Sequence, residues 1–136
     1  MTDSTSDGDR LELLELPAEE RYVEFLSWAM RTGCVWALRG RGGFISLSDD
    51  EGHVCFPFWP DAATARASAT GDWSDCQPES VSLDALISRW LPGMSKDGRL
   101  VAVCPTPDGS SVVIDPAWLL RDLLEDDAES RDGFTP

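Results

Sequence analysis

The chain predicts an α+β fold, a mostly antiparallel sheet of about five strands built from a three-strand meander and a later hairpin and covered by three to four helices. Three observations carry this expectation. Two stretches, near residues 22–30 and 83–91, repeat apolar side chains at helical spacings of three and four. Short runs of branched and aromatic residues lie between and after them, cut by glycine-rich turns as antiparallel strands are. Large aromatics also meet prolines at Phe56-Pro57-Phe58-Trp59-Pro60 and at Trp90-Leu91-Pro92-Gly93, which places bulk where a strand or helix must stop.

Pro17 suits the first position of a helix, and Glu19 and Glu20 suit the positive end of its dipole. The stripe Tyr22, Phe25, Leu26, Ala29 and Met30 then predicts a helix over 17–32, stopped by Gly33. Three strands are expected next, at residues 34–38, 44–47 and 53–56, separated by Gly40-Arg41-Gly42-Gly43 and Asp49-Asp50-Glu51-Gly52. Pro57 and Pro60 close the third, because a proline cannot donate to a central ladder. Asp61 caps a short alanine-rich helix through about Ala69, ended by Gly71, and residues 72–80 read as irregular. Ser82 then caps a helix carrying Leu83, Leu86, Ile87, Trp90 and Leu91, with Pro92-Gly93 as its end. Strands at residues 100–104 and 111–114 are expected to flank a turn at Pro107-Asp108-Gly109. Asp115-Pro116 opens a closing helix with Leu119, Leu120, Leu123 and Leu124 on its apolar side. Strand order does not follow from these signals, and a parallel pairing between meander and hairpin is permitted.

The chain has 136 residues and is 42% hydrophobic, enough for one domain with one core. Its net charge of -14 is unevenly placed. Residues 1–20 carry seven acids and one base and residues 122–136 six acids and one base, which leaves twelve acids against nine bases between. Disordered acidic tails are therefore expected over 1–15 and 126–136, around a single domain over 16–125. Lys96 is the only lysine and the ten arginines are scattered, so nucleic-acid binding is not expected. Neither an export signal nor a bilayer-length apolar run is visible, which makes the cytoplasm the expected compartment and a membrane role unexpected. Cys34, Cys55, Cys76 and Cys104 lie too far apart in sequence for a zinc knuckle or a redox pair, and are expected as free thiols.

The strings Gly33-Cys34-Val35-Trp36-Ala37-Leu38, Phe56-Pro57-Phe58-Trp59-Pro60, Trp73, Leu86-Ile87-Ser88-Arg89-Trp90-Leu91-Pro92-Gly93 and Val101-Ala102-Val103-Cys104-Pro105-Thr106-Pro107-Asp108-Gly109 resemble the mainly bacterial family called domain of unknown function 2750. The resemblance runs from Tyr22 to about Leu124, roughly three-quarters of the chain, and implies one complete domain. It implies no activity and no catalytic residue.

No catalytic residue, metal ligand set or cofactor is expected from the residues themselves. His53, the only histidine, stands two positions before Cys55, but a thiol mechanism needs more parts than this pair. A metal site would draw on Asp49, Asp50 and Glu51 with Asp108 and Asp115, but the first three fill a turn for backbone reasons and Asp115 is a cap, so a metal site is not expected. The Gly40–Gly43 run precedes a strand and so lacks the helix N-terminus of a phosphate cradle; Ser110 and Ser111 have no nucleophile elbow around them. What remains is a surplus of tryptophan, six in all. Phe58, Trp59, Trp73 and Trp90, at loop-like corners with Arg89 at the rim, are the candidate aromatic surface of a small protein-binding or regulatory module, an accessory or immunity-like factor whose partner is another protein. The alternative is a small-ligand binder or enzyme whose pocket these aromatics line, with His53, Asp61 or Asp75 as polar groups.

Overall fold

In the computed structural model, residues 13–48, 51–106 and 111–132 are described. Leu13–Glu15 form a single 3-10 turn, and Leu14 and Leu16 pack on the core, so structure begins inside the span expected as a tail. Residues 1–12 of that expected tail lie outside the described residues. Helix α1 (Ala18–Thr32) follows Pro17 and ends at Gly33, whose φ of 76° is a left-handed conformation that costs glycine little. Phe25 and Ala29 of the expected stripe are buried, and Tyr22, Leu26 and Met30 pack beside them.

The expected middle strand of the meander divides at Ile45-Ser46, which is where the fold departs most from a single sheet. Strand β1 (Cys34–Gly40) pairs with β2 (Gly43–Phe44), whereas β3 (Leu47–Ser48) pairs with β4 (Val54–Phe58), all antiparallel. Two sheets result, in the orders β2-β1-β5 and β3-β4-β6-β7. They meet where Trp36 and Trp59 exchange both backbone hydrogen bonds at 2.8 Å.

Asp61 caps α2 (Ala62–Ala67), its carboxylate accepting from the Thr64 N–H at 2.8 Å. The segment after the short turn Gly71–Trp73, expected to be irregular, instead contains β5 (Gln77–Ser82), paired with β1 over six residues. Pro78 is tolerated because β5 is an edge strand, and Val81 alone of its side chains is buried. Ser82 then accepts from the Ala85 N–H at 3.1 Å, as expected of a cap. The helix does not stop at Pro92-Gly93. Leu83–Ala85, a wider π turn at Leu86–Trp90 and Leu91–Asp97 run on as α3 (83–97), closed by Gly98 at φ 71°. An interior proline clashes with the carbonyl four residues back; the π turn, in which the Leu91 N–H reaches the Leu86 oxygen, shifts the ladder by one residue and accommodates Pro92.

Strand β6 (Leu100–Val103) lies parallel to β4, and β7 (Val112–Ile114) returns antiparallel to it. The turn expected at Pro107-Asp108-Gly109 lies outside the described residues. Helix α4 (Pro116–Asp132) opens with the Ala117 N–H bonded to the Asp115 carboxylate at 2.8 Å and buries Leu119 and Leu123. It continues past 125, so residues 126–132 of the expected acidic tail are helical, and 133–136 lie outside the described residues. Helices α1 and α4 are joined by the Tyr22 hydroxyl, which donates to the Asp122 carboxylate. Among the described residues no helix is long and apolar enough to cross a membrane.

Candidate functional site

The glycine turn at residues 40–43 sets Arg39 directly opposite Phe44, and cross-strand partners share a face. The Arg39 guanidinium accordingly lies over the Phe44 ring at 5.6 Å. Phe44 meets the edge of Trp90 at 4.8 Å and 80°. Phe56 and Phe58, two residues apart on β4 and so on one face, also pack edge-to-face on Trp90, at 6.2 and 5.5 Å. Arg99, adjoining the β6 residue that pairs with Cys55, lies over Phe56 at 5.5 Å. The outcome is a ridge that reads Arg39, Phe44, Trp90, Phe56, Arg99, with half-buried rings in the middle and a cation at each end. Arg89, beside Trp90 in the chain, is exposed. Each exposed guanidinium-on-ring contact contributes about 0.5–1 kcal/mol. Arg39 also meets Glu79 at 3.3 Å, an exposed ion pair worth about 0–1 kcal/mol. Trp90 closes the π turn of α3, a distortion found often at functional sites.

The five residues expected to form one aromatic surface separate in the fold. Phe58 and Trp59 are corrections: both are 0% exposed and belong to the core. The Trp59 indole N–H donates to the Pro105 carbonyl at 3.0 Å, and half-buried Trp73 packs edge-to-face with it at 6.3 Å. Trp90 and Arg89 stand at the other group, with Phe58 beneath Trp90. The proline corners do place bulk at fixed positions, but the β1–β4 junction turns Phe58 and Trp59 inward. Sequence reasoning missed Arg39, Phe44, Phe56 and Arg99. A four-residue glycine turn that pairs residues 39 and 44, and the period of two from Phe56 to Phe58, were the available signals; Arg99 had none. It also passed over Trp118, which is 55% exposed on α4 with Arg121 stacked at 5.3 Å.

A cleft of about 830 Å³ adjoins the ridge through Phe44, its other walls being Gly40, Arg41, Gly42, Gly43, Ile45, Asp75 and Cys76. Gly40 packs closely there, since a Cβ would come within 3.3 Å of the Cys76 sulfur. The cleft contains none of Trp59, Trp73 and Trp90, so it is not the tryptophan-lined pocket of the alternative expectation.

The family model described as "Protein of unknown function (DUF2750)" matches residues 22–123, from the second turn of α1 to the last buried leucine of α4. The chain belongs to this family. No curated protein matches it.

Thiol chemistry in this DUF2750 domain is governed by burial. Cys55, Cys76 and Cys104 are buried and Cys34 is half-buried, and none of the four is in a disulfide. Cys55 directs its thiol to the His53 carbonyl oxygen at 3.7 Å, and His53 itself is exposed. Cys104 directly follows β6 with the left-handed φ of 49°, uncommon outside glycine. Desolvation drives its thiol far above the ordinary value of 9.0, against the nearby Arg21 guanidinium, which lowers it, and with Asp61, which raises it further. A thiol so held is protonated at neutral pH and is no nucleophile. Native protein is therefore expected to react with iodoacetamide at Cys34 first and only slowly at the other three, with all four labelled after unfolding, as peptide mass spectrometry can check. The folded state retains a proton that the unfolded chain releases above pH 9, so this contribution to stability is complete below pH 9 and declines as the pH rises beyond it. Melting curves above pH 9 should fall less steeply for Cys104→Ala than for the wild type. Among the described residues no three histidine, cysteine or acidic side chains cluster to hold a metal ion.

Proposed function

We propose that the domain is a protein-binding module, an accessory or regulatory factor acting in the cytoplasm, and that it contacts its partner through the ridge of Phe44, Trp90 and Phe56 flanked by Arg39, Arg89 and Arg99. The observation that carries this reading is the row of three half-buried rings ending in stacked guanidinium groups. Aromatic and arginine side chains are the residues most enriched where protein partners bind tightly, because rings contribute large contact area at little conformational cost and the planar guanidinium pairs with a carboxylate through two hydrogen bonds. The rings are also held in place by both sheets and by α3, so little ordering remains to be lost on binding.

The experiment is an affinity capture from cells that make the protein, run in parallel with wild type and with Phe44→Ala plus Arg89→Ala. Phe44 lies on a two-residue edge strand and Arg89 on the surface, so the variant is expected to fold, which near-ultraviolet circular dichroism checks. A stoichiometric partner that the folded variant loses by about tenfold or more supports the reading, since two anchor truncations cost over 1.4 kcal/mol together. Equal recovery by both proteins defeats it.

A further inference from the structure

Resting on the protein-binding reading, we infer that the ridge accepts an acidic peptide segment, with an apolar side chain laid against Phe44, Trp90 and Phe56 and flanking carboxylates on Arg89 and Arg99. Three of the eleven basic residues of the chain, Arg39, Arg41 and Arg99, stand on the ridge or on the wall of the cleft beside it, and exposed Arg89 adjoins Trp90 in the chain. Of the acids beside them, Glu79 pairs with Arg39 and Asp75 stands on the wall of the cleft. Among the described residues Arg89 and Arg99 have no carboxylate within ion-pair distance. A guanidinium lying over a ring keeps its N–H edge clear of the ring face, and that edge forms the two parallel hydrogen bonds that fit a carboxylate.

Charge chooses the class of occupant. The chain carries -14 overall, yet Arg89 and Arg99 stand here without a carboxylate partner among the described residues. A long polyanion feels the net repulsion along its whole length, whereas a segment with a few carboxylates feels chiefly the groups within a Debye length of about 8–10 Å, among them the two unpaired arginines. An acidic peptide therefore fits better than a nucleic acid. The aromatic middle supplies the anchor surface, and the arginines select against basic or neutral segments.

The test is selection of random peptides displayed on phage against the full chain, with counter-screens on folded Phe44→Ala and on Arg89→Gln plus Arg99→Gln. Enriched sequences are expected to carry Asp or Glu on both sides of a Leu, Phe or Trp. A synthetic peptide of such a sequence should lose about tenfold in affinity with the double Gln variant, and again when its own Glu are changed to Gln, because each change removes charge-assisted hydrogen bonds. Binding should also weaken as salt is raised. Peptides that lack acids but are lost with Phe44→Ala overturn the inference and leave the protein-binding reading standing. Peptides indifferent to both variants, or no enrichment at all, overturn both. Displacement of the acidic peptide by an equal concentration of single-stranded oligothymidylate reassigns the ridge to nucleic acid and overturns the inference as well.

Discussion

Replacing Trp59 by alanine is expected to destabilise the domain by about 3–5 kcal/mol, the range for deleting a large buried aromatic. Trp59 is the largest fully buried side chain, and its backbone joins the two sheets through Trp36. Its indole N–H is bonded to the Pro105 carbonyl and its ring packs edge-to-face with Trp73. Truncation thus opens a cavity at the junction of the sheets, while the Pro105 oxygen keeps only the Ser68 hydroxyl at 2.9 Å. For a domain of this size the melting temperature should fall by roughly 10–20 °C. Trp118→Ala is the matching control. Its ring is more than half exposed, so the change should stay within about 0.5 kcal/mol. Thermal unfolding followed by circular dichroism distinguishes the two, and equal losses would mean that the assignment of core and surface tryptophans is wrong.

Arg21→Met is expected to cost about 2–4 kcal/mol, because it keeps side-chain volume and removes a charged donor from the interior. Arg21 is 2% exposed on α1. Its Nε donates to the Cys104 carbonyl at 3.1 Å and its Nη1 to the Leu16 carbonyl. One side chain therefore connects the segment entering α1, the helix itself and the end of β6. Cys104 is the residue in the left-handed conformation, and strain of that kind persists only where its surroundings hold it. The Cys104 N–H to Phe58 oxygen bond at 2.8 Å holds one side, and Arg21 holds the other. Arg21→Lys should restore less than half of the loss, since a compact ammonium lacks the planar fork that reaches two carbonyls. Urea denaturation midpoints decide the matter; a change under about 0.5 kcal/mol for the Met variant would remove the buried arginine from the list of structural supports.

The arginine itself shows how much was legible beforehand. On α1 Arg21 sits among acids and reads as a surface charge, because the carbonyl it serves lies 83 positions away. Phe44 and Arg39 were within reach, since a tight glycine turn fixes which residues face each other. Arg99 was not: its place over Phe56 follows from the parallel pairing of β4 with β6, which brings together strands more than forty residues apart. Long-range pairing, of Phe58 with Val103 and of Trp59 with Trp36, turned these two residues, expected at the surface, into core residues. A hydrophobic side chain beside a proline is equally consistent with either fate until the neighbouring strand is known.

By itself the sequence determined the α+β class, the start of each long helix and the family. Pro17, Gly33, Asp61, Ser82 and Asp115 act through backbone groups no more than four residues away, so their effect is present before any tertiary contact forms. Tertiary structure alone decided that there are two sheets, that Gln77–Ser82 is a strand and that α3 passes through Pro92. A strand completes its hydrogen bonds on another segment of the chain, and a locally costly proline persists where packing of Leu86, Leu91 and Met94 in the core offsets it.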